Sequence, residues 1–162
     1  MIILGIDPGI TAAGFAVMSC DHNVVSTKDA GIIAVRSANP VERLMELHKG
    51  LDELFKTWHP QAVAVERLYF AKNVKTALPV AESRGVILLT TALAGTILHE
   101  YTPQEVKLAV TGDGRADKAQ VRKMVRMSLR HERDLNAKDD VYDAIAIAIT
   151  CFWREYARSK RM

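Results

Sequence analysis

Four carboxylates stand where a chain can hold a side chain most firmly. Asp7 closes the apolar run Ile2-Ile3-Leu4-Gly5-Ile6, and Glu66 closes Ala62-Val63-Ala64-Val65. Asp140 and Asp143, with Asp139 beside them, stand at the entry to a long apolar helix. Strand ends and helix starts are rigid mounts for ligands. Hard divalent cations take oxygen ligands, and magnesium keeps several of its waters. Two such ions about 3.5–4 Å apart hold the attacking and leaving oxygens of a phosphoryl transfer. Two ions that close need several carboxylates to offset their charge. The chemistry indicated is metal-assisted hydrolysis of a phosphate ester.

The residue pattern leaves alternatives open. Asp7 and Glu66 meet only if their strands are neighbours with aligned ends. Asp140 and Asp143 are three apart on a helix and share a face, but Asp139 and Asp143, four apart, also do. Periodicity therefore does not choose between Asp139 and Asp140 as a ligand. Asp7 before Pro8-Gly9 also suits a turn aspartate. Glu66 could pair with Arg67 or Lys72, and Asp139, three residues after Asn136, suits a capping or dipole role. Asp143 is the hardest to explain as structural. It sits among Val141, Ala144, Ile145, Ala146 and Ile147, where a carboxylate without a cationic partner is costly. A metal or an arginine is expected beside it.

The net charge is only +3, but it is unevenly spread. Between Arg115 and Arg133 lie Lys118, Arg122, Lys123, Arg126 and Arg130, against Asp117 and Glu132 alone. Lys118, Arg122, Arg126 and Arg130 recur every four residues, with Val121, Val125 and Leu129 on another face. That is a cationic helix face over an apolar one. A solvated face is the usual meaning of such a run, yet the shortage of acids favours phosphate contact. An acidic pocket with basic surroundings suits an enzyme acting on a polyphosphate. Cys20 and Cys151 show neither zinc spacing nor a disulfide framework and read as reduced core thiols. The first strand follows Met1 directly, with no basic leader, and Asp7 interrupts the apolar run too early for a signal peptide. No stretch is long and charge-free enough to span a membrane. A cytoplasmic protein is expected.

Positioning these groups requires a particular set of elements. Residues 2–7 read as a buried strand ended by the Pro8-Gly9 turn. Ala13 to Cys20 and Val24 to Val35, with a Gly31 interruption, read as the next two strands, joined by short turns and so antiparallel. Asn39-Pro40 looks like an N-cap and first position of a helix reaching Trp58, with Leu44, Leu47, Leu51, Leu54 and Phe55 at helical spacing. Residues 62–66 form a short strand buried on both faces. A loop over 67–75 leads to a helix from Thr76 to Leu93, with Pro79 in its first turn. Gly95 to Tyr101 is a weak last strand. Thr102-Pro103-Gln104-Glu105 opens a capped helix that stops at Gly112. Lys118 to Arg130 and a helix capped by Asn136 complete the chain. The expectation is an α/β fold, a mixed five-stranded sheet whose first three strands are antiparallel, with helices on both faces. The length suits one domain over residues 1–162.

The ordered motifs carry a resemblance. Leu4-Gly5-Ile6-Asp7-Pro8-Gly9 with Thr11 and Gly14, Glu66 followed by Ala71-Lys72-Asn73, and Asp140-Val141-Tyr142-Asp143-Ala144-Ile145-Ala146 resemble, in order and spacing, the RuvC family of Holliday-junction resolvases. Glu82-Ser83-Arg84-Gly85 and residues 107 to 126 are similar as well. The resemblance implies a ribonuclease-H-like fold and a homodimer that nicks two strands of a four-way DNA junction symmetrically. It implies two Mg2+ ions per site, with Mn2+ able to substitute, and action alongside the RuvA and RuvB branch-migration proteins. It carries catalytic and metal-ligand roles onto Asp7, Glu66, Asp140 and Asp143, and DNA contact onto Lys107 and Lys118. With Arg122 and Arg126 from the basic helix, Tyr69, Phe70, Lys72 and Asn73 complete the expected DNA-binding set; either aromatic ring could stack on a splayed base or pack beneath its loop. This chain departs from the family pattern in three places. Three residues after the glutamate, where the family often has Phe, stands Tyr69, with Phe70 next. Asp139 is an extra neighbouring acid, and Val141-Tyr142 stand where two small residues are usual.

The helix over 76–93 carries apolar residues on several sides, with Ala81 and Gly85 permitting close approach, and is the candidate dimer face; packing on the sheet is its other use. Other functions remain to be distinguished. Asp7-Pro8-Gly9-Ile10-Thr11 also resembles the phosphate loop of actin-like ATPases, but those need two lobes and a second glycine-rich segment. A related nuclease acting on RNA or ordinary duplex DNA, or a junction-binding module without catalysis, would share many of the same residues.

Overall fold

The computed structural model describes residues 1–21, 24–67, 74–129 and 138–159. β1 (Ile2–Asp7), β2 (Ala12–Asp21) and β3 (Val24–Ala34) form an antiparallel meander. α1 (Pro40–Trp58) leads to β4 (Ala62–Glu66), and α2 (Val74–Leu93) to β5 (Ile97–Tyr101). Then come α3 (Pro103–Thr111), α4 (Lys118–Ser128) and α5 (Asp139–Ser159). The sheet order is β3-β2-β1-β4-β5, with β4 parallel to both β1 and β5. This is the expected mixed five-stranded sheet.

Alternation along the central strands feeds two cores. Leu4 and Ile6 of β1 and Val63 and Val65 of β4 face α1 and α2, where they meet Leu47, Leu51 and Ile87. Ile3, Ala62 and Ala64 face the other way, toward α5 and the flanking α3 and α4. Because the side-chain period of a strand is two, Asp7 and Glu66 fall on this second face. The residues there are small, and that lets α5 lie close. A Cβ on Gly5 would overlap the Ala144 carbonyl oxygen, and one on Gly14 the Asp140 carbonyl oxygen.

The helix ends follow local chemistry. Asn39 caps α1 through Val41 and Glu42, and His59 closes it in the left-handed region at φ 44°. Thr102 and Glu105 form the expected capping box of α3, and Gly112 closes it at φ 81°. Asp117 and Gln120 form a second capping box at α4. That signature was present in the sequence but was overlooked.

Four boundaries differ from expectation. β3 runs unbroken through Gly31, which pairs with Phe15, and the register shift falls further along at Val17/Met18, whose partners are Asp29 and Thr27. α2 begins at Val74, so Pro79 is its sixth residue, beyond the first turn. Gly95 lies in the turn after α2, with its N–H donating to the Ala92 carbonyl, and β5 starts only at Ile97. α4 ends at Ser128. The proposed Asn136 cap, with Arg130 and Arg133, lies outside the described residues. Among the described residues no helix is long and apolar enough to cross a membrane.

Candidate active site

The register of the parallel pair sets the first half of the site. Ile6 of β1 lies beside Val65 of β4, so Asp7 and Glu66, one residue on, end neighbouring strands on the same face. The second half comes from α5. Its first turn crosses β2 at Gly14, and Gly14 is the register partner of Asp7. One glycine thereby brings the Asp140 backbone down beside the Asp7 strand end. Asp140 and Asp143 then share a pocket with Asp7 and Glu66.

Asp139 turns elsewhere. Its carboxylate accepts from Arg122 at 3.3 Å and is largely exposed. Helical periodicity left Asp139 and Asp140 equivalent; the packing of α4 against α5 separates them.

The pocket holds about 360 Å³ and is lined by the four acids together with Lys107 of α3 and Lys118 of α4. Val106, Val121 and Ala146 form its apolar wall. The Lys118 ammonium lies 3.5 Å from Asp143 Oδ2. A metal or an arginine was expected beside Asp143; the side chain found there is a lysine.

Burial dominates the electrostatics. It pushes the Asp7 carboxyl up to about 8, helped by the charges of Asp143, Glu66 and Asp140 and opposed by Lys118. Glu66 is raised by burial and by Asp143, against the pull of Lys118 and Lys107. Asp143 is raised as well, despite its lysine partner, while Lys118 is raised chiefly by Asp143. A close ion pair alone would lower the acid. Here desolvation and neighbouring acids outweigh one ammonium at 3.5 Å. The donor set is therefore all oxygen and partly desolvated, with less positive charge than it needs. That fits a hard divalent cation. Among the described residues no three such side chains form a ready-made metal cage.

The other expected site residues are distributed unevenly. Arg122 and Arg126 do not simply project into solvent. Arg122 lies over the Tyr142 ring at 4.5 Å and Arg126 at 5.6 Å, and Arg126 Nε donates to Tyr142 Oη at 3.1 Å. Tyr142 is a residue whose part in this arrangement was missed; its place beside two acids at a helix start was the available signal. Tyr69, Phe70, Lys72 and Asn73 lie outside the described residues.

A mixed sheet in this order, with acids ending its two central strands and starting the helix laid across them, defines a nuclease of ribonuclease-H-like fold. A family model described as "Crossover junction endodeoxyribonuclease RuvC" matches residues 3–151. The chain belongs to that family. The RuvC of Heliobacterium modesticaldum is 44% identical over 152 residues, covering 93% of each chain. That of Halothermothrix orenii is 41% identical over 162 residues, covering 99% of this chain and 97% of the other. The solved structure of T. thermophilus RuvC in complex with Holliday junction substrate superposes with a TM-score of 0.88 at 31% identity, over 97% of this chain and 96% of that one.

Proposed function

We propose that this chain is a structure-selective endodeoxyribonuclease that resolves four-way (Holliday) DNA junctions by paired symmetric nicks. The observation that carries this reading is one pocket lined by Asp7, Glu66, Asp140, Asp143, Lys107 and Lys118, in a chain similar over most of its length to enzymes named for that activity. Residues 1–162 act as one nuclease domain in the cytoplasm.

Asp7, Glu66, Asp140 and Asp143 would hold two Mg2+ ions, or Mn2+ in their place. Once bound, the metal supplies Lewis acidity that activates a water and offsets charge on the leaving 3′ oxygen. The chain's own part is positioning and electrostatics. The acids fix the reacting centre on strand and helix ends that cannot drift. Lys107 and Lys118, on the pocket wall, meet the growing negative charge of the scissile phosphate. The apolar wall limits water on that side. The products are a 5′ phosphate and a 3′ hydroxyl, and no covalent protein intermediate is needed.

Recognition rests on shape and phosphate placement more than on base edges. Lys107, Lys118, Arg122 and Arg126 offer the cations, and Lys72 and Asn73, which precede α2 in the sequence, add to them. Tyr69 or Phe70 stacks on a base opened at the crossover. Two nicks related by symmetry call for two sites related by symmetry, which a homodimer provides. Exposed Leu78, Leu89 and Leu93 lie along α2, where Gly85 has open space above it. That face is suited to a second copy. RuvA and RuvB, which move the junction, are the expected working partners.

The test is cleavage of a synthetic immobile four-way junction with magnesium, comparing wild type with Asp7→Asn. Wild type should give paired symmetric nicks, and the variant should bind without cutting. Efficient cutting by the variant would remove the proposed role of the acids.

A further inference from the structure

The first turn of α5 meets α4 through a residue that performs no chemistry. Tyr142 is only 2% exposed and packs in the core between the sheet and α5. Its ring nevertheless carries two guanidinium groups. Arg122 lies over it at 4.5 Å and Arg126 at 5.6 Å, and Arg126 Nε donates to its hydroxyl at 3.1 Å. Arg122 also reaches Asp139 at 3.3 Å. Lys118 lies one helical turn before Arg122 on the same face of α4, and it is the residue that meets Asp143. Three cations at a spacing of four thus engage the start of α5, Lys118 at Asp143, Arg122 at Asp139 and Tyr142, and Arg126 at Tyr142.

Spacing by four keeps side chains on one stripe of a helix, so fixing two members of a stripe fixes the third. A lysine has a long flexible stem and a point charge. It holds a defined place only where its backbone is defined. The Lys118 side chain is 77% exposed, so its own packing does little to place it. The α4 backbone is held by Val121 and Val125 beneath and by the arginine–tyrosine stack at the side. Guanidinium over an aromatic face is attractive, more so where water is excluded.

We infer that Tyr142 is a positioning residue: its ring sets the rotation of α4 and so places the Lys118 ammonium at the mouth of the acidic pocket. The inference rests on the proposed nuclease site, because the consequence of misplacing Lys118 is read there. It also gives Arg122 and Arg126 a structural duty beyond any contact with phosphate.

The test compares Tyr142→Leu, Tyr142→Phe, Lys118→Met and the double variant Tyr142→Leu/Lys118→Met by junction cleavage under single-turnover conditions. Tyr142→Leu should lower the cleavage rate about tenfold or more while junction affinity changes far less, since a small misplacement of a positioned group is costly. Tyr142→Phe keeps the ring and should restore the rate to within about threefold of wild type. Because both changes act through one ammonium, the double variant should be no slower than Lys118→Met by more than about twofold. Independent, multiplying losses would overturn the inference, and so would a Tyr142→Leu enzyme with the wild-type rate. Hydrogen exchange of the α4 amides, without DNA or metal, separates this claim from the proposed function. Faster exchange in Tyr142→Leu but not in Tyr142→Phe is expected even if no junction is cut. Unchanged exchange in Tyr142→Leu would refute the positioning role by itself.

Discussion

A Cβ on Gly14 would overlap the main-chain carbonyl oxygen of Asp140, and the same glycine is the strand partner of Asp7. The absence of a side chain at one position of β2 thus lets α5 deliver its acids to the end of β1. Gly14→Ala should push the first turn of α5 off the sheet. Overpacking of this kind costs about 1–3 kcal/mol, readable as a lower urea midpoint. Cleavage should fall further than stability alone explains, because Asp140 and Asp143 move together. A Gly14→Ala protein with unchanged midpoint and unchanged rate would show that the contact relaxes at no cost.

Asp139 and Asp140 offer a sharper comparison. They are adjacent in sequence, yet Asp140 lines the acidic pocket and Asp139 pairs with Arg122 at 3.3 Å in a largely exposed setting. Exposed ion pairs contribute about 0–1 kcal/mol. Asp139→Asn should therefore leave the junction cleavage rate within about fivefold of wild type. Asp140→Asn removes a charged group from the proposed metal site, and a loss of about 100-fold or more is expected. Equal losses in the two variants would show that the two acids serve the site together.

The parts of this site that could be read in the sequence were those set by short-range rules. Asp7 and Glu66 ended runs whose apolar pattern already placed them at strand ends, and Thr102 announced the start of α3 through its capping box. Gly5 and Gly14 inside strands carried an unused signal of close backbone approach, and the sequence does not name what approaches. Whatever depended on a distant partner was hidden. Periodicity could not separate Asp139 from Asp140, because the difference lies in where α4 presents Arg122. The charge run on α4 looked like a free cationic face, but Arg122 and Arg126 lie on Tyr142. The early start of α2 was obscured by Pro79, which a helix tolerates poorly past its first turn and which nevertheless lies inside α2.

The exposed leucines of α2 lead to a prediction about assembly. Leu89 is 59% exposed, so replacing it disturbs little of the protomer's own core. Leu89→Glu should change protomer stability by only about 0.5 kcal/mol, as for other surface substitutions, while burying a charge in any contact between copies. Sedimentation velocity should show wild type as a dimer and Leu89→Glu shifted to monomer at micromolar concentration. On a junction, the variant's two nicks should become uncoupled, with singly nicked product accumulating. A wild-type protein that sediments as a monomer would rule out this face as a dimer contact.

The raised acids make stability depend on pH in a direction opposite to that of ordinary paired carboxylates. Asp7 titrates near 3.8 when unfolded and at about 8 in the folded chain. Between those values the native state holds the extra proton, so stability falls as pH rises. The contribution is complete below about 3.8 and lost above about 8. Glu66 and Asp143 are shifted in the same direction and add to the slope. Glu105, lowered by its hydrogen bonds to Thr102, works the other way, but only in the acid range around its ordinary value of 4.5. In buffer with a chelator, Tm should therefore decline from about pH 5 to pH 8. Asp7→Asn cannot ionise, so it should flatten that decline and melt higher than wild type at pH 8. A relief of about 1–2 kcal/mol moves Tm by about 2–8 °C in a chain of this size. Added magnesium should raise the wild-type Tm at pH 8 much more than that of Asp7→Asn, because the cation offsets the repulsion that the substitution removes. A wild-type melting temperature that rises with pH across this range would mean that the acids are already neutralised within the folded chain.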